Sequence, residues 1–297
     1  MEPPPPEELM QVPLPAAVLF GLIVGSGILL WLTPLRFRLH EIRGNRVPGW
    51  PARWIDFGLW LFGLYCLIYG IQVVVFMTLP AILPFPVPWD LDSGSRDATI
   101  LAAGLALQLP LLAYLPLMRS YRPELFGFPL SAPEEYPTWS LLRILVAFLL
   151  LMPLVLVVNG LWQAVLLGLQ ELGVSINREP QELVSLIAEN ESPLLLFGFF
   201  LIAVLLAPVA EELIFRGGIY GFLKTRFPRW IALLLSASAF ATLHANLASL
   251  VPLLFLGIAL ALAYEASGHI RVPILLHALF NAHQLLILLL LSGNSPL

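Results

Sequence analysis

The chain has 297 residues, 59% of them hydrophobic and 11% charged, with a formal net charge of −4 and a mean hydropathy of +0.88. Soluble domains carry about 25% charged and about 45–50% apolar residues. This composition therefore excludes a soluble globular, a disordered or a nucleic-acid-binding chain and leaves a polytopic membrane protein. The single cysteine, Cys66, excludes an internal disulfide and a multi-thiolate metal site, and its apolar surroundings read as those of a small buried hydrophobe.

The opening MEPPPPEELM reads as a disordered or extended leader over residues 1–13, without the positive start of a secretory signal. An apolar run from about Leu14 to Leu32 follows, long enough to cross ~30 Å of hydrocarbon. Seven further apolar stretches centre near Tyr69, Leu107, Val155, Phe200, Ser236, Gly257 and Leu285. The stretch from Ser140 to Leu169 contains Pro153 and Asn159 and is a place for a kink. The expected fold is all-α: a polytopic transmembrane helix bundle of about eight membrane-spanning helices. Residues 14–135 form an N-terminal transmembrane region without a recognised motif, and residues 293–297 are a tail.

Basic residues alternate between links. Twelve fall in the segments 35–54, 119–143 and 222–229 and at Arg271, whereas Arg96 and Arg178 lie in the opposite links. The positive-inside rule puts the first set in the cytoplasm and both termini outside, in an integral protein of the cell membrane with lipid around it. The one basic residue left over is Arg216, inside a span.

Ionisable groups within spans are costly and tend to face polar cavities. Here they gather in the last third. APVAEELIFRGGIYGF carries Glu211, Glu212 and Arg216; SASAFATLHAN carries His244; PILLHALFNAHQ carries His277, Asn281 and His283. Glu212 and Arg216 are four apart, so they share a helix face and can pair. Glu211 points ~100° away and is left for chemistry. Phe240 with His244, and His277 with Asn281, have the same four-residue spacing, while His283 lies off that face. Glu265 sits near a membrane end and reads as an interfacial charge. His40 and His269 read as solvated link residues, and Gly217 and Gly218 as close helix contacts.

A buried carboxylate and a histidine around one water make a nucleophile, with Glu211 as general base and His244 orienting the water. His277 and Asn281 can both donate to the oxyanion formed when water attacks a peptide carbonyl. A metal alternative uses Glu211, His244 and His277 as ligands, with zinc as the natural ion; the HExxH helix of soluble zinc proteases is absent. On the glutamate–water reading no cofactor is required. Counting ~1.5 Å per residue from the cytoplasmic ends puts Glu211 and Asn281 ~13–15 Å deep and His244 ~20 Å or more. A tilt, a break near Pro208 or a different span boundary must therefore bring His244 level with Glu211.

EELIFR (Glu211 to Arg216), FATLH (Phe240 to His244) and HALFN (His277 to Asn281) resemble, in order, the EExxxR, FxxxH and HxxxN motifs of the CPBP family. This is the group of type II CAAX prenyl proteases and bacteriocin-processing proteases, also called Abi. The resemblance makes residues 136–292 a CPBP-like intramembrane protease domain. It implies an endopeptidase acting on a membrane-associated or lipidated peptide or protein, with Glu211 activating water, His244 as its partner on that water, and His277 and Asn281 as the oxyanion site. Glu212, Arg216 and Phe240 are implied as supporting residues. The family is often called metalloprotease, and a metal-free glutamate mechanism is also proposed for it. The rival reading is a proton-coupled transporter or channel that uses the same Glu/His set as a relay.

Overall fold

The computed structural model describes residues 13–33, 46–82, 93–132, 139–176 and 192–291. Residues 1–12 of the expected leader, the tail 293–297 and His40 lie outside the described residues. The described chain is helical, apart from one isolated antiparallel bridge between Ser131 and His269. In order the helices are α1 (Leu14–Trp31), α2 (Trp54–Ile82), α3 (Ser93–Tyr121), the single turn α4 (Pro123–Phe126) and α5 (Leu141–Glu171). Next come α6 (Pro193–Leu223), α7 (Arg229–Leu243), α8 (Leu250–Ser267) and α9 (Arg271–Leu291). Each of the eight expected stretches coincides with one of these helices.

Among the described residues seven helices are long and apolar enough to cross a membrane, and α7, at 15 residues, is not. Its length is ~22 Å against ~30 Å of hydrocarbon. α7 stops at Leu243, and His244 is its C-cap. Ala245 follows in the left-handed region at φ 48°, where a Cβ is strained, and the chain turns before α8 begins.

Three contacts set the frame around the last four helices. On α1, a Cβ at Gly27 would stand 2.1 Å from the Leu149 carbonyl oxygen. Pro153, four residues on, has no N–H to take that carbonyl, so α1 closes on the site of the missing bond. Trp31 Nε1 donates to Leu150 O at 2.8 Å one residue further along. On the other side, Trp50, Phe57 and Trp60 pack with Phe128 and Phe222, the Phe57 and Phe222 rings stacking at 3.8 Å. Cβ atoms at Gly218 and Gly217 would meet Trp60 at 2.1 Å and Phe128 at 2.7 Å, so these glycines are the close contacts expected of them. α2, the segment just before it and Phe128 are thus joined to α6 through an aromatic cluster.

Cys66 is exposed on α2, against the expectation of a buried thiol. It shares that surface with Phe62 and Tyr69, which are 62% and 53% exposed. An apolar run does not distinguish a lipid-facing position from a core one, because hydrocarbon and core favour the same side chains.

Candidate active site

α6 is not a uniform helix. Leu201–Leu206 and Leu213–Tyr220 are π-helical, and between them Ala207–Glu212 is α-helical with Pro208 in its first turn. π segments are rare and concentrate at functional sites, because the wider turn alters backbone pairing and side-chain direction. Side chains of neighbouring helices reach a carbonyl in each segment: Asn281 Nδ2 donates to Ala203 O at 2.8 Å, and Ser236 Oγ donates to Phe215 O at 3.0 Å. In an apolar medium such carbonyls need a partner, so α9 and α7 are tied to α6 at these points.

The α-helical piece between them carries the acidic pair. Glu212 is fully buried, and its Oε1 accepts from Arg216 Nη1 at 2.7 Å, as the four-residue spacing predicts. The same oxygen lies 2.9 Å from His277 Nδ1, a contact between helices that spacing along one helix does not show. Arg216 Nη2 donates to Gly257 O at 3.1 Å, where α8 comes close enough that a Cβ on Gly257 would stand 3.1 Å from that of Ala237. Its guanidinium also lies 4.8 Å over the Phe240 ring. One carboxylate, one guanidinium and one imidazole thereby bind α6, α8 and α9 together.

Glu211 points elsewhere. Its side chain is 27% exposed, and its Oε2 lies 3.9 Å from His277 Nε2, beyond hydrogen-bond reach. That oxygen has no hydrogen-bond partner among the described residues. His244 Nδ1 lies 2.8 Å from Phe240 O, a contact in which the Nδ1–H donates to the carbonyl. The Phe240 ring stands between two histidines, 4.8 Å from His244 and 5.7 Å from His277, edge-on to both. The turn after His244 is held by α5. Trp162 Nε1 donates to Leu247 O and Gln163 Nε2 to Ala248 O, each at 2.9 Å. Among the described residues no three His, Cys, Asp or Glu side chains are grouped to hold a metal ion.

Residues 193–283 match the family model of type II CAAX prenyl endopeptidase Rce1-like proteins. The Rce1-like segment runs from the start of α6 into α9 and contains every residue of the three motifs. No curated protein and no solved structure matches the chain.

One residue of the Rce1-like segment was misjudged from sequence. Glu265 is not an interfacial charge; it is fully buried on α8. Its Oε1 accepts from Tyr220 OH at 2.7 Å and from Lys224 Nζ, and its Oε2 accepts from Arg46 N at 2.9 Å and Val47 N at 3.4 Å. The donors come from α6 and from the segment before α2, far away in sequence. Burial holds the Lys224 ammonium below the ordinary lysine range, with Glu265 beside it acting in the opposite direction. His283, off the His277 face as expected, is buried with its ring 6.1 Å from that of Phe148.

Proposed function

We propose that the chain is an intramembrane endopeptidase of the CAAX type, hydrolysing a peptide bond in a membrane-associated or lipidated peptide or protein. The observation that carries the reading is the division of labour between adjacent carboxylates. Glu212 is held by Arg216 and His277, whereas Glu211 is partly exposed with an oxygen left unpaired.

In the proposed reaction Glu211 removes a proton from a water molecule as its oxygen attacks the scissile carbonyl carbon. His244, with Nδ1 occupied by Phe240 O, offers Nε2 as acceptor to the same water. The carbonyl oxygen becomes an oxyanion. Asn281 Nδ2 spends one N–H on Ala203 O and keeps a second for that oxyanion. His277 acts as the other donor through Nε2–H while its Nδ1–H remains on Glu212. In that state the imidazolium and Arg216 balance the oxyanion and Glu212, while Glu211 is neutral with the proton it took from water, so the set carries no net charge. Collapse of the intermediate breaks the C–N bond, and the proton held by Glu211 passes to the departing amine. Glu212 and Arg216 act as positioning residues: they fix the His277 ring without touching the reacting atoms.

Cleavage of a farnesylated peptide ending in a CAAX sequence by purified full-length protein tests the proposal. Wild type is expected to release the C-terminal tripeptide, and Glu211→Ala is not. Equal cleavage by both, or none by well-folded wild type on lipidated and unlipidated peptides, overturns it. Chelator-sensitive cleavage that zinc restores replaces the water–glutamate mechanism by the metal one.

A further inference from the structure

In the span Leu101–Ser120 of α3, Gln108 is the one polar side chain before Tyr114. It lies outside the Rce1-like segment and outside the three motifs. A carboxamide in hydrocarbon needs partners. Gln108 Oε1 is buried and has no hydrogen-bond partner among the described residues. A buried acceptor left unpaired costs stability, so its presence calls for a functional account.

Contacts between α3 and α6 set the level of Gln108. A Cβ at Gly198 would stand 2.5 Å from Leu101, and one at Gly104 would stand 2.9 Å from Ile202. Leu111 packs in the cluster that holds Ala210. The two helices thus run parallel, and Gln108 falls between Ile202 and Ala210, near the level of Leu206. Leu101, Gly104 and Gln108 share one face of α3 by their spacing of three and four residues. On that face Leu101 packs in a cluster with Val204, Ala278 and Ala282. Ala278 and Ala282 are the chain neighbours of His277 and Asn281 on α9. Gln108 therefore lies where α3, α6 and α9 meet. Its level is between Ala203, to which Asn281 donates, and Glu211, which lies beside His277.

The site lacks what this side chain offers. In the proposed reaction Asn281 and His277 donate to the scissile carbonyl, and Glu211 and His244 act on the water. None is left to accept a hydrogen bond from the substrate's own N–H groups. A peptide bound within the membrane carries such groups where no water can take them. Gln108 is only partly buried, and the last torsion of a glutamine is broad, so its amide turns towards a ligand at little cost. Leu206 and Glu211 are ~7 Å apart along α6, a distance an extended peptide covers in about two residues.

We propose that Gln108 is a substrate-binding residue whose Oε1 accepts the backbone N–H of the peptide about two residues from the scissile bond, an assignment that rests on the peptidase reading. The test is binding to full-length protein in detergent of a farnesylated CAAX peptide whose scissile amide is reduced to a methyleneamine, so that no peptidase cleaves it. Gln108→Met keeps the length and removes the amide. It should weaken binding about three- to tenfold, the worth of one hydrogen bond. Its melting temperature should equal or exceed that of wild type, because an unpaired polar group has become apolar. N-methylation of the peptide amides, one at a time, should find one position that weakens binding to wild type by a similar factor and leaves Gln108→Met unaffected. Gln108→Leu should behave alike and serves if Gln108→Met does not fold. Wild-type affinity in both variants, a lower melting temperature in both, or additive losses at every methylated position overturns the proposal. Cleavage of the unreduced peptide by wild type, with affinity unchanged in Gln108→Met, overturns this assignment alone. Binding with the expected losses but no cleavage of the unreduced peptide overturns the peptidase reading alone.

Discussion

Adjacent glutamates with opposite surroundings make a sharp pair of expectations at the scale of single residues. Glu211→Gln keeps shape and removes the base, so kcat should fall by about 10²–10⁴. Its melting temperature should stay near that of wild type, because the carboxylate is partly exposed and its Oε2 makes no hydrogen bond. Glu212→Ala should behave differently. It strands the buried Arg216 guanidinium, and removing one partner of a buried pair costs about 3–5 kcal/mol, read as a lower melting temperature in detergent together with lost activity. If the two variants lose stability equally, the division between base and positioning residue is wrong. The Glu212–Arg216 pair was legible in the sequence because both residues sit on one helix at i,i+4. The Glu212–His277 contact was not, because periodicity within a helix says nothing about which faces meet between helices. Glu265 was misread for the same reason: proximity to a helix end was visible, and the donors contributed by Arg46, Val47 and Tyr220 were not.

At the scale of elements, α7 and its turn decide whether His244 can serve the site. The eight stretches were visible from hydropathy alone, but the contacts that hold the turn after α7 were not, since they come from a helix far away in sequence. The turn's carbonyls are satisfied from α5 by Trp162 and Gln163. Replacing Gln163 by Leu leaves the Ala248 carbonyl without that donor, at a cost of about 1–3 kcal/mol. The expected result is a lower kcat with little change in KM, because the turn positions His244; a changed KM with kcat intact would count against that role. The π segments were likewise unreadable from sequence. Pro208 indicated a break in α6, and the structure answers with widened turns on both sides of Ala207–Glu212.

For the whole molecule, the path of α7 bears on the basic-residue count. A 15-residue helix that enters and turns back into α8 returns the chain to the side it came from. The links holding Lys224, Arg226 and Arg229 and the one before Arg271 then share a side, as the positive-inside reading requires. Cysteines placed at Thr225 and Arg271 in a Cys66→Ser background should react with an impermeant maleimide from the same face of oriented vesicles; labelling from opposite faces would refute that path. The join between α2 and α6 is also testable. Gly218→Ala puts a Cβ against Trp60, and such overpacking costs about 1–3 kcal/mol. Adding Trp60→Leu should recover part of the lost melting temperature, since contacting residues do not act additively.

The most direct test of the central claim is single-turnover cleavage of a lipidated CAAX peptide by wild type and Glu211→Gln at matched folded concentration. The proposed mechanism predicts a rate at least about 10²-fold lower for the variant, with peptide still bound and the melting temperature unchanged. A Glu211→Gln protein that cleaves at the wild-type rate would contradict it.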